Sequence, residues 1–129
     1  MTGYLVDTHL LVWAADETER LSKTAAAILS DPASDLAFSV VALWELVIKT
    51  GLGRSVIRGD IVALRRQLLA RRYRELQVTA DHAFAVAALP PLHGDPFDRL
   101  MIAQARAEGL TLLTSDAVVA RYPGMIERV

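Results

Sequence analysis

The chain has no cysteine and no long uncharged apolar run, and each of these absences excludes a class of protein. Without cysteine there is no disulfide framework and no thiolate metal site, which is what a reducing compartment favours. No charge-free run approaches the ~20 residues that a membrane-spanning helix requires, and the apolar opening segment lacks a basic start. We therefore expect a soluble cytoplasmic protein.

Apolar residues are abundant for a chain of this length. With 129 residues we expect a single domain, 1–129, which is long enough to bury a core and too short for two domains. Because 53% of the residues are hydrophobic, a domain of this size cannot bury all of them. The excess predicts an apolar interface with a second copy or another partner.

Charge is nearly balanced overall but unevenly distributed. The net charge is −1 at pH 7, yet the formal charge is −5 over residues 1–48, +7 over 49–74 and −3 over 75–129. A basic middle segment beside acidic ones suits a polyanion such as RNA, whereas a solvated helix face explains the same arginines equally well. The candidate RNA-binding residues are Arg54, Arg58, Arg65, Arg66, Arg71 and Arg72.

Four carboxylates are the most informative feature of the sequence. They are Asp7, Glu45, Asp98 and Asp116, which we call the acidic quartet. Three of them, Asp7, Glu45 and Asp116, are each the only charged side chain in an apolar stretch. Burying an uncompensated carboxylate is costly or forces it to hold a proton, so such acids indicate a metal ion or a strong donor.

The order of predicted elements brings the quartet together. Apolar runs predict strands at 4–6, 36–39, 75–78, 111–114 and 125–128. Helices are predicted at 9–15, 22–30, 40–48, 61–72, 80–88 and 96–108, with a short one starting at 115–116. Strands that alternate with helices favour a parallel sheet covered on both faces, whose ligands collect at the carboxyl ends of the strands. All four carboxylates are expected at that edge.

Each carboxylate also has a purely structural interpretation. Asp98 follows a predicted cap at Asp95 and would favour the positive end of the helix dipole, and Asp116 would do the same for its own helix. For Asp98 alone the structural role is the better interpretation. Asp7 and Glu45 have no evident cap to make, which favours a functional role. Taken together, the four acids favour a cation-binding site.

Oxygen-only ligands select hard cations, so we expect Mg²⁺ or Mn²⁺. The histidines show no ligand spacing and are interpreted as structural or surface residues; they are His9, His82 and His93. Hydroxyl side chains beside the acids are predicted either to support the site or to cap helices; they are Thr8, Thr114 and Ser115. Large aromatic side chains at helical spacing are predicted to be core; they are Trp13, Trp44 and Phe97.

The ordered motifs resemble a known family. The segments are VDTH at 6–9, SVVALWEL at 39–46, DPFDRLMIAQARAEGLTLLTSD at 95–116 and ARYP at 120–123. This set is similar to the PIN-domain ribonucleases of the VapC toxin group, over about residues 3–123. The resemblance places the family's catalytic and metal-binding acids on the same quartet. Asp95 is an additional acid in this segment, and we interpret it as a helix cap rather than a ligand.

The resemblance implies a five-stranded parallel sheet of order 3-2-1-4-5 and Mg²⁺- or Mn²⁺-dependent cleavage of RNA. It further implies a homodimer and a cognate antitoxin that blocks the site. Two other functions compete with it. An aspartyl phosphatase or phosphotransfer receiver would need a late lysine, but the last lysine is Lys49. A non-catalytic module whose acidic pocket docks a basic partner segment is the stronger alternative.

Overall fold

The computed structural model of the protein describes residues 3–54, 57 and 59–129, and five strands in this part form one parallel sheet. The strands are Gly3–Val6 (β1), Asp35–Ser39 (β2), Arg74–Leu76 (β3), Thr111–Thr114 (β4) and Ile126–Arg128 (β5). Their order is β3-β2-β1-β4-β5, with β1 between β2 and β4. The predicted parallel sheet of order 3-2-1-4-5 is confirmed.

Helices flank this sheet and connect its strands. They are Thr8–Asp16 (α1), Lys23–Ser30 (α2), Val40–Gly51 (α3), Ile61–Ala70 (α4), Ala80–Ala85 (α5) and Pro96–Glu108 (α6). Within the described ranges, none is long and apolar enough to cross a membrane. The α/β class follows from strands and helices that alternate along the chain.

Local sequence signals set the ends of several helices. Ser39 and Asp60 cap α3 and α4, since each side chain accepts a hydrogen bond from a backbone N–H in the first turn. Asp95 caps α6, with Pro96 at its first position, and Gly109 ends it in the left-handed conformation with φ 67°. These boundaries agree with the predicted ones.

The core lies on both faces of the central strands. Leu5 of β1 pairs in register with Ala37 of β2 and with Leu112 of β4, and all three side chains are buried. Such a strand, covered on both faces, is typical of parallel sheets and explains its uninterrupted apolar sequence. The same arrangement places the residues that follow β1, β2 and β4 at one edge of the sheet.

Helix α3 differs from its prediction. Its apolar sequence predicted burial all round, but Trp44 is 55% exposed and Val47 is 54% exposed. The expectation that Trp44 belongs to the core is therefore wrong, whereas Trp13 and Phe97 are half-buried against the core cluster. Trp44 packs edge-on against Phe97, with ring centroids 5.1 Å apart. Periodicity cannot distinguish a fully covered helix from one with an exposed apolar face.

Two predicted helix boundaries are also wrong. Helix α4 ends at Ala70 rather than near residue 72, because Arg72 adopts a left-handed conformation with φ 67°. No helix starts at Ser115 or Asp116; a turn is followed by a short 3-10 segment, Val119–Arg121. The Asp116 carboxylate accepts hydrogen bonds from the backbone N–H groups of Val118 and Val119, which stabilises that turn.

Candidate active site

Asp7 lies directly after the central strand and caps α1. Its Oδ1 accepts hydrogen bonds from the backbone N–H groups of His9 at 3.0 Å and Leu10 at 3.5 Å. Its Oδ2 accepts a hydrogen bond from Thr114 Oγ1 at 2.5 Å. The expectation that Asp7 has no cap to make is therefore wrong. Even so, burial outweighs these hydrogen bonds and the nearby His9, and it raises the pKa of the Asp7 carboxyl.

Glu45 is 2% exposed in the middle of α3 and has two direct partners. Thr8 Oγ1 donates a hydrogen bond to its Oε1 at 2.7 Å, and the Lys49 ammonium forms an ion pair with its Oε2. Lys49 lies one turn further along the same helix, where i and i+4 side chains meet. Partial burial disfavours the charged Lys49, but the hydrogen bond and charge of Glu45 prevail and raise the pKa of Lys49.

Asp98 lies in the first turn of α6 and faces the other acids. Its backbone N–H donates to Asp95 Oδ1 at 3.1 Å, and its Oδ2 lies 2.8 Å from His93 Nε2. Burial raises the pKa of the Asp98 carboxyl to about 6, with repulsion from Asp95 and weaker repulsion from Asp7 and Glu45, while the His93 contact opposes the shift.

Asp116 completes the group from the loop after β4. Its own backbone N–H donates to Thr114 Oγ1 at 3.0 Å, and its Oδ1 accepts from the N–H groups of Val118 at 2.7 Å and Val119 at 3.1 Å. Thr114 therefore links Asp7 and Asp116, because its hydroxyl donates to one and accepts from the other. The neighbouring Ser115 is only partly buried.

The structure adds a histidine that the sequence pattern did not indicate. Ligand atoms of His93, Asp98 and Asp116 all lie within 4.8 Å of one another. In the described part of the chain these three side chains form a group with the spacing of a metal site. His93 is five residues before Asp98 in a loop, a separation that matches no helical ligand spacing, so only the folded chain reveals the contact.

The other two histidines have different surroundings. His82 is 1% exposed, caps α5 together with Thr79, and contacts Glu108 Oε2 at 2.8 Å through its Nε2. His9 is exposed on α1, with its ring 6.0 Å from that of Trp13. The prediction that these histidines are structural or surface residues is consistent with both positions.

The candidate RNA-binding arginines differ in their partners. Arg65 is paired with Glu75, at 2.5 Å from Nε to Oε2, and Arg71 donates to the Ala14 carbonyl at 3.1 Å. Arg58 lies outside the described residues. The remaining three make no side-chain hydrogen bond or ion pair within residues 3–54, 57 and 59–129; they are Arg54, Arg66 and Arg72.

A large cleft of about 750 Å³ lies away from the acids. It is lined by the ends of α1 and α2, by Leu36 near the start of β2, and by Arg71, Arg72 and Tyr73. Ala14, on its rim, is seven residues beyond Asp7, which is about 10 Å along a helix. None of the quartet lines this cleft, whereas Arg71 and Arg72 do.

The metal-free protein is expected to lose stability as the pH rises from about 4 to about 6. The unfolded Asp98 carboxyl titrates near 3.8 and the folded one near 6, so between these values only the folded state holds the proton. Above pH 6 the folded state bears the full free-energy cost of ionising the buried Asp98 carboxyl, roughly 1–3 kcal/mol. Urea unfolding in a chelator at pH 4, 5, 6 and 7.5 measures this. Equal pH dependence in Asp98→Asn would contradict the assignment.

Comparison with known proteins gives the family. The model of the PIN domain family matches residues 4–125. The chain is 32% identical over 117 residues to Ribonuclease VapC22 of Mycobacterium tuberculosis, covering 90% of this chain and 88% of the relative. This similarity extends over most of both chains, so it is more than a shared short motif.

Solved structures with low identity share the fold. VapBC2 from Rickettsia felis, bound to a DNA fragment from its promoter, has a TM-score of 0.71 at 20% identity, covering 98% of both chains. A toxin-antitoxin complex from Klebsiella pneumoniae has a TM-score of 0.63 at 18% identity, covering 97% of this chain and 96% of the other. With the matching family model and the parallel sheet of order 3-2-1-4-5, these likenesses place the chain in the PIN domain family.

Proposed function

We propose that the protein is a divalent-metal-dependent endoribonuclease and the toxin of a toxin–antitoxin pair. The observation that carries the proposal is the convergence of Asp7, Glu45, Asp98 and Asp116 at one edge of the sheet of a PIN domain, where they are connected by hydrogen bonds through Thr8 and Thr114 and by the proximity of Asp98 to Asp116. The relative at 32% identity is named a ribonuclease, which supports the same activity here. Cellular RNA is the substrate class, so the proposal requires a cytoplasmic location.

The carboxylates fit a hard divalent cation such as Mg²⁺ or Mn²⁺. Asp98 and Asp116 offer oxygen atoms close enough to share one ion, and the buried Asp7 and Glu45 add negative charge nearby. A bound ion of this kind lowers the pKa of a water molecule and offsets negative charge at the phosphodiester. The quartet is therefore proposed as both the metal-binding and the catalytic set.

The remaining side chains of the site hold the carboxylates in place. Thr8 and Thr114 orient Glu45 and Asp7 through hydrogen bonds of 2.7 Å and 2.5 Å, and Ser115 lies between Thr114 and Asp116 in sequence. Lys49 balances the charge of Glu45. No side-chain nucleophile is required. The resemblance to PIN-domain ribonucleases implies 5′-phosphate and 3′-hydroxyl ends.

A metal titration with RNA tests this function. We expect cleavage of single-stranded or loop RNA in Mg²⁺ or Mn²⁺, no cleavage in a chelator, and a higher melting temperature with metal, because the cation binds only the folded state. Asp7→Asn is expected to lose cleavage and to reduce the shift in melting temperature. Metal-independent cleavage, or an equal shift in Asp7→Asn, would contradict the proposal.

The same titration distinguishes the enzyme from the alternative function. A non-catalytic module that docks a basic partner segment in the acidic pocket would bind such a segment without turning over RNA. Multiple turnovers of RNA per protein molecule are expected from the enzyme and are impossible for the module. The inhibition of cleavage by a basic peptide would then show that the pocket is a regulated active site.

A homodimer and an antitoxin are the proposed protein partners. Helices α3 and α5 both pack against α6, and they expose Trp44, Val47 and the 74% exposed Phe84. We propose that a second copy covers these exposed apolar side chains. The structural neighbour from Klebsiella pneumoniae is a toxin-antitoxin complex, which supports an antitoxin for this chain. A short neighbouring gene for a DNA-binding protein would identify it.

Replacing the unpaired arginines is expected to weaken RNA binding independently of sequence. If Arg54, Arg66 and Arg72 contact phosphates, their replacement with Gln removes those contacts and flattens the salt dependence of binding by roughly one unit of slope per contact. Arg65, which is already paired with Glu75, is the matched control. Binding isotherms at several salt concentrations measure the slope, and an unchanged slope would assign these arginines to a solvated face.

A further inference from the structure

His93 lies in the site, but it is not one of the four carboxylates and the sequence pattern did not predict it there. Its Nε2 lies 2.8 Å from Asp98 Oδ2, and both groups are within 4.8 Å of a carboxylate oxygen of Asp116. The imidazole is 24% exposed and the Asp98 side chain 19% exposed, so the pair is accessible to a small ion. The histidine therefore faces the same space as two of the proposed metal ligands.

The loop that carries His93 is held in place by α6 and by the segment after β4. Arg99 donates from Nη1 to the Pro90 carbonyl at 2.9 Å and to Tyr122 Oη at 3.1 Å. Tyr122 Oη in turn donates to the carbonyl of His93 itself at 3.4 Å. The loop is thus tied at both Pro90 and His93, and Asp95 at its end caps α6. Such support fixes a ligand more precisely than a free loop would.

We propose that His93 is a direct nitrogen ligand of the divalent ion, together with Asp98 and Asp116. Two ligand atoms at right angles on an ion with bonds of about 2.1 Å are about 3 Å apart. The observed 2.8 Å between His93 Nε2 and Asp98 Oδ2 is close to this separation. This inference rests on the proposed metal dependence of the protein and specifies the donor set.

A nitrogen ligand changes which metal the site prefers. Mg²⁺ favours oxygen donors and retains its water, whereas Mn²⁺ and the later divalent metals accept imidazole readily. A site of one imidazole and two carboxylates is therefore expected to bind Mn²⁺ more tightly than Mg²⁺. Removing the imidazole is expected to reduce that preference, leaving a site of oxygen donors alone.

The competing role for His93 is that of a hydrogen-bond donor that only orients Asp98. In that case the nitrogen stays outside the coordination shell, and removing it weakens Mg²⁺ and Mn²⁺ binding by the same factor. The two roles differ in whether the nitrogen is bonded to the ion. Electron spin echo spectroscopy of bound Mn²⁺ detects a directly bonded ¹⁴N nucleus.

The experiment uses the full chain loaded with Mn²⁺, in wild type, His93→Gln and His9→Gln. We expect ¹⁴N coupling in wild type and in His9→Gln, which changes an exposed histidine next to the site, and none in His93→Gln. Competition titrations are expected to show a loss of Mn²⁺ affinity of about tenfold or more in His93→Gln and a smaller loss for Mg²⁺. If His93→Gln does not fold, coupling that persists in His9→Gln still supports His93 as the source, and absence of coupling in wild type still refutes it.

Several results would overturn the inference. Bound Mn²⁺ without ¹⁴N coupling in wild type, coupling that persists in folded His93→Gln, or equal affinity losses for the two metals would each place His93 outside the coordination shell. RNA cleavage that persists in such a case would leave the proposed function intact. Absence of any Mn²⁺ binding by wild type would refute the donor set, and absence of both Mn²⁺ and Mg²⁺ binding would also refute the metal dependence.

Discussion

Asp98→Asn is expected to lower RNA cleavage by about 100-fold or more while the protein stays folded. Asparagine keeps the size of the side chain and can still contact His93, but it removes the charge that would help to hold a divalent ion. If Asp98 only stabilised the start of α6, the change would cost about 1 kcal/mol or less and activity would remain. Initial cleavage rates in Mn²⁺ and unfolding midpoints separate the two roles.

Asp95→Asn is the internal control for this result. Asp95 Oδ1 accepts hydrogen bonds from the backbone N–H groups of Phe97 at 2.8 Å and Asp98 at 3.1 Å, a role that asparagine fills almost as well. We therefore expect nearly normal cleavage from Asp95→Asn. Near-normal cleavage by Asp98→Asn would refute its catalytic role, and a larger loss from Asp95→Asn would assign that role to the capping residue.

The sheet and the meeting of the acids were predictable because they depend on periodicity and chain order. Short apolar runs alternate with helical segments, which favours a parallel sheet, and residues that follow β1 and β4 must then lie at one edge. Asp7 and Asp116 are such residues. Helix caps at Asp60 and Asp95 follow equally local rules. None of these inferences requires knowing which side chains touch.

The partners of the acids were not predictable, because they come from contacts between distant segments. The sequence indicated that Glu45 needs a strong donor, but it did not identify Thr8, which is 37 residues away. His93 reaches Asp98 only through a loop that Arg99 and Tyr122 hold. The exposure of Trp44 was hidden for a related reason, since an apolar helix face looks the same whether the core or a partner covers it.

Lys49 has a structural role beside the quartet that the sequence did not predict. Among the described side chains, the Lys49 ammonium is the one cationic group that pairs with Glu45, which is 2% exposed. A buried carboxylate that loses its partner is left with an uncompensated charge in a poor solvent. The ion pair therefore offsets part of the negative charge of the quartet.

Lys49→Met is accordingly expected to destabilise the metal-free protein by about 2–4 kcal/mol, somewhat less than a fully buried pair because the lysine is partly exposed. Methionine keeps the apolar stem and removes only the charge. The double variant Glu45→Gln with Lys49→Met is expected to lose less than Lys49→Met alone, since no charge is then left unpaired. Urea unfolding in a chelator measures both.

Adding Mg²⁺ or Mn²⁺ is expected to restore part of the stability that Lys49→Met loses, and more than it adds to wild type, because the ion then supplies the positive charge that Glu45 lacks. Arg65→Met is the matched control: it breaks an ion pair with Glu75 on the exposed surface, so it is expected to cost far less and to show no extra gain from metal. Equal losses from Lys49→Met and Arg65→Met would show that Glu45 does not depend on its lysine. Rescue confined to Lys49→Met would instead place the cation near Glu45, within the quartet.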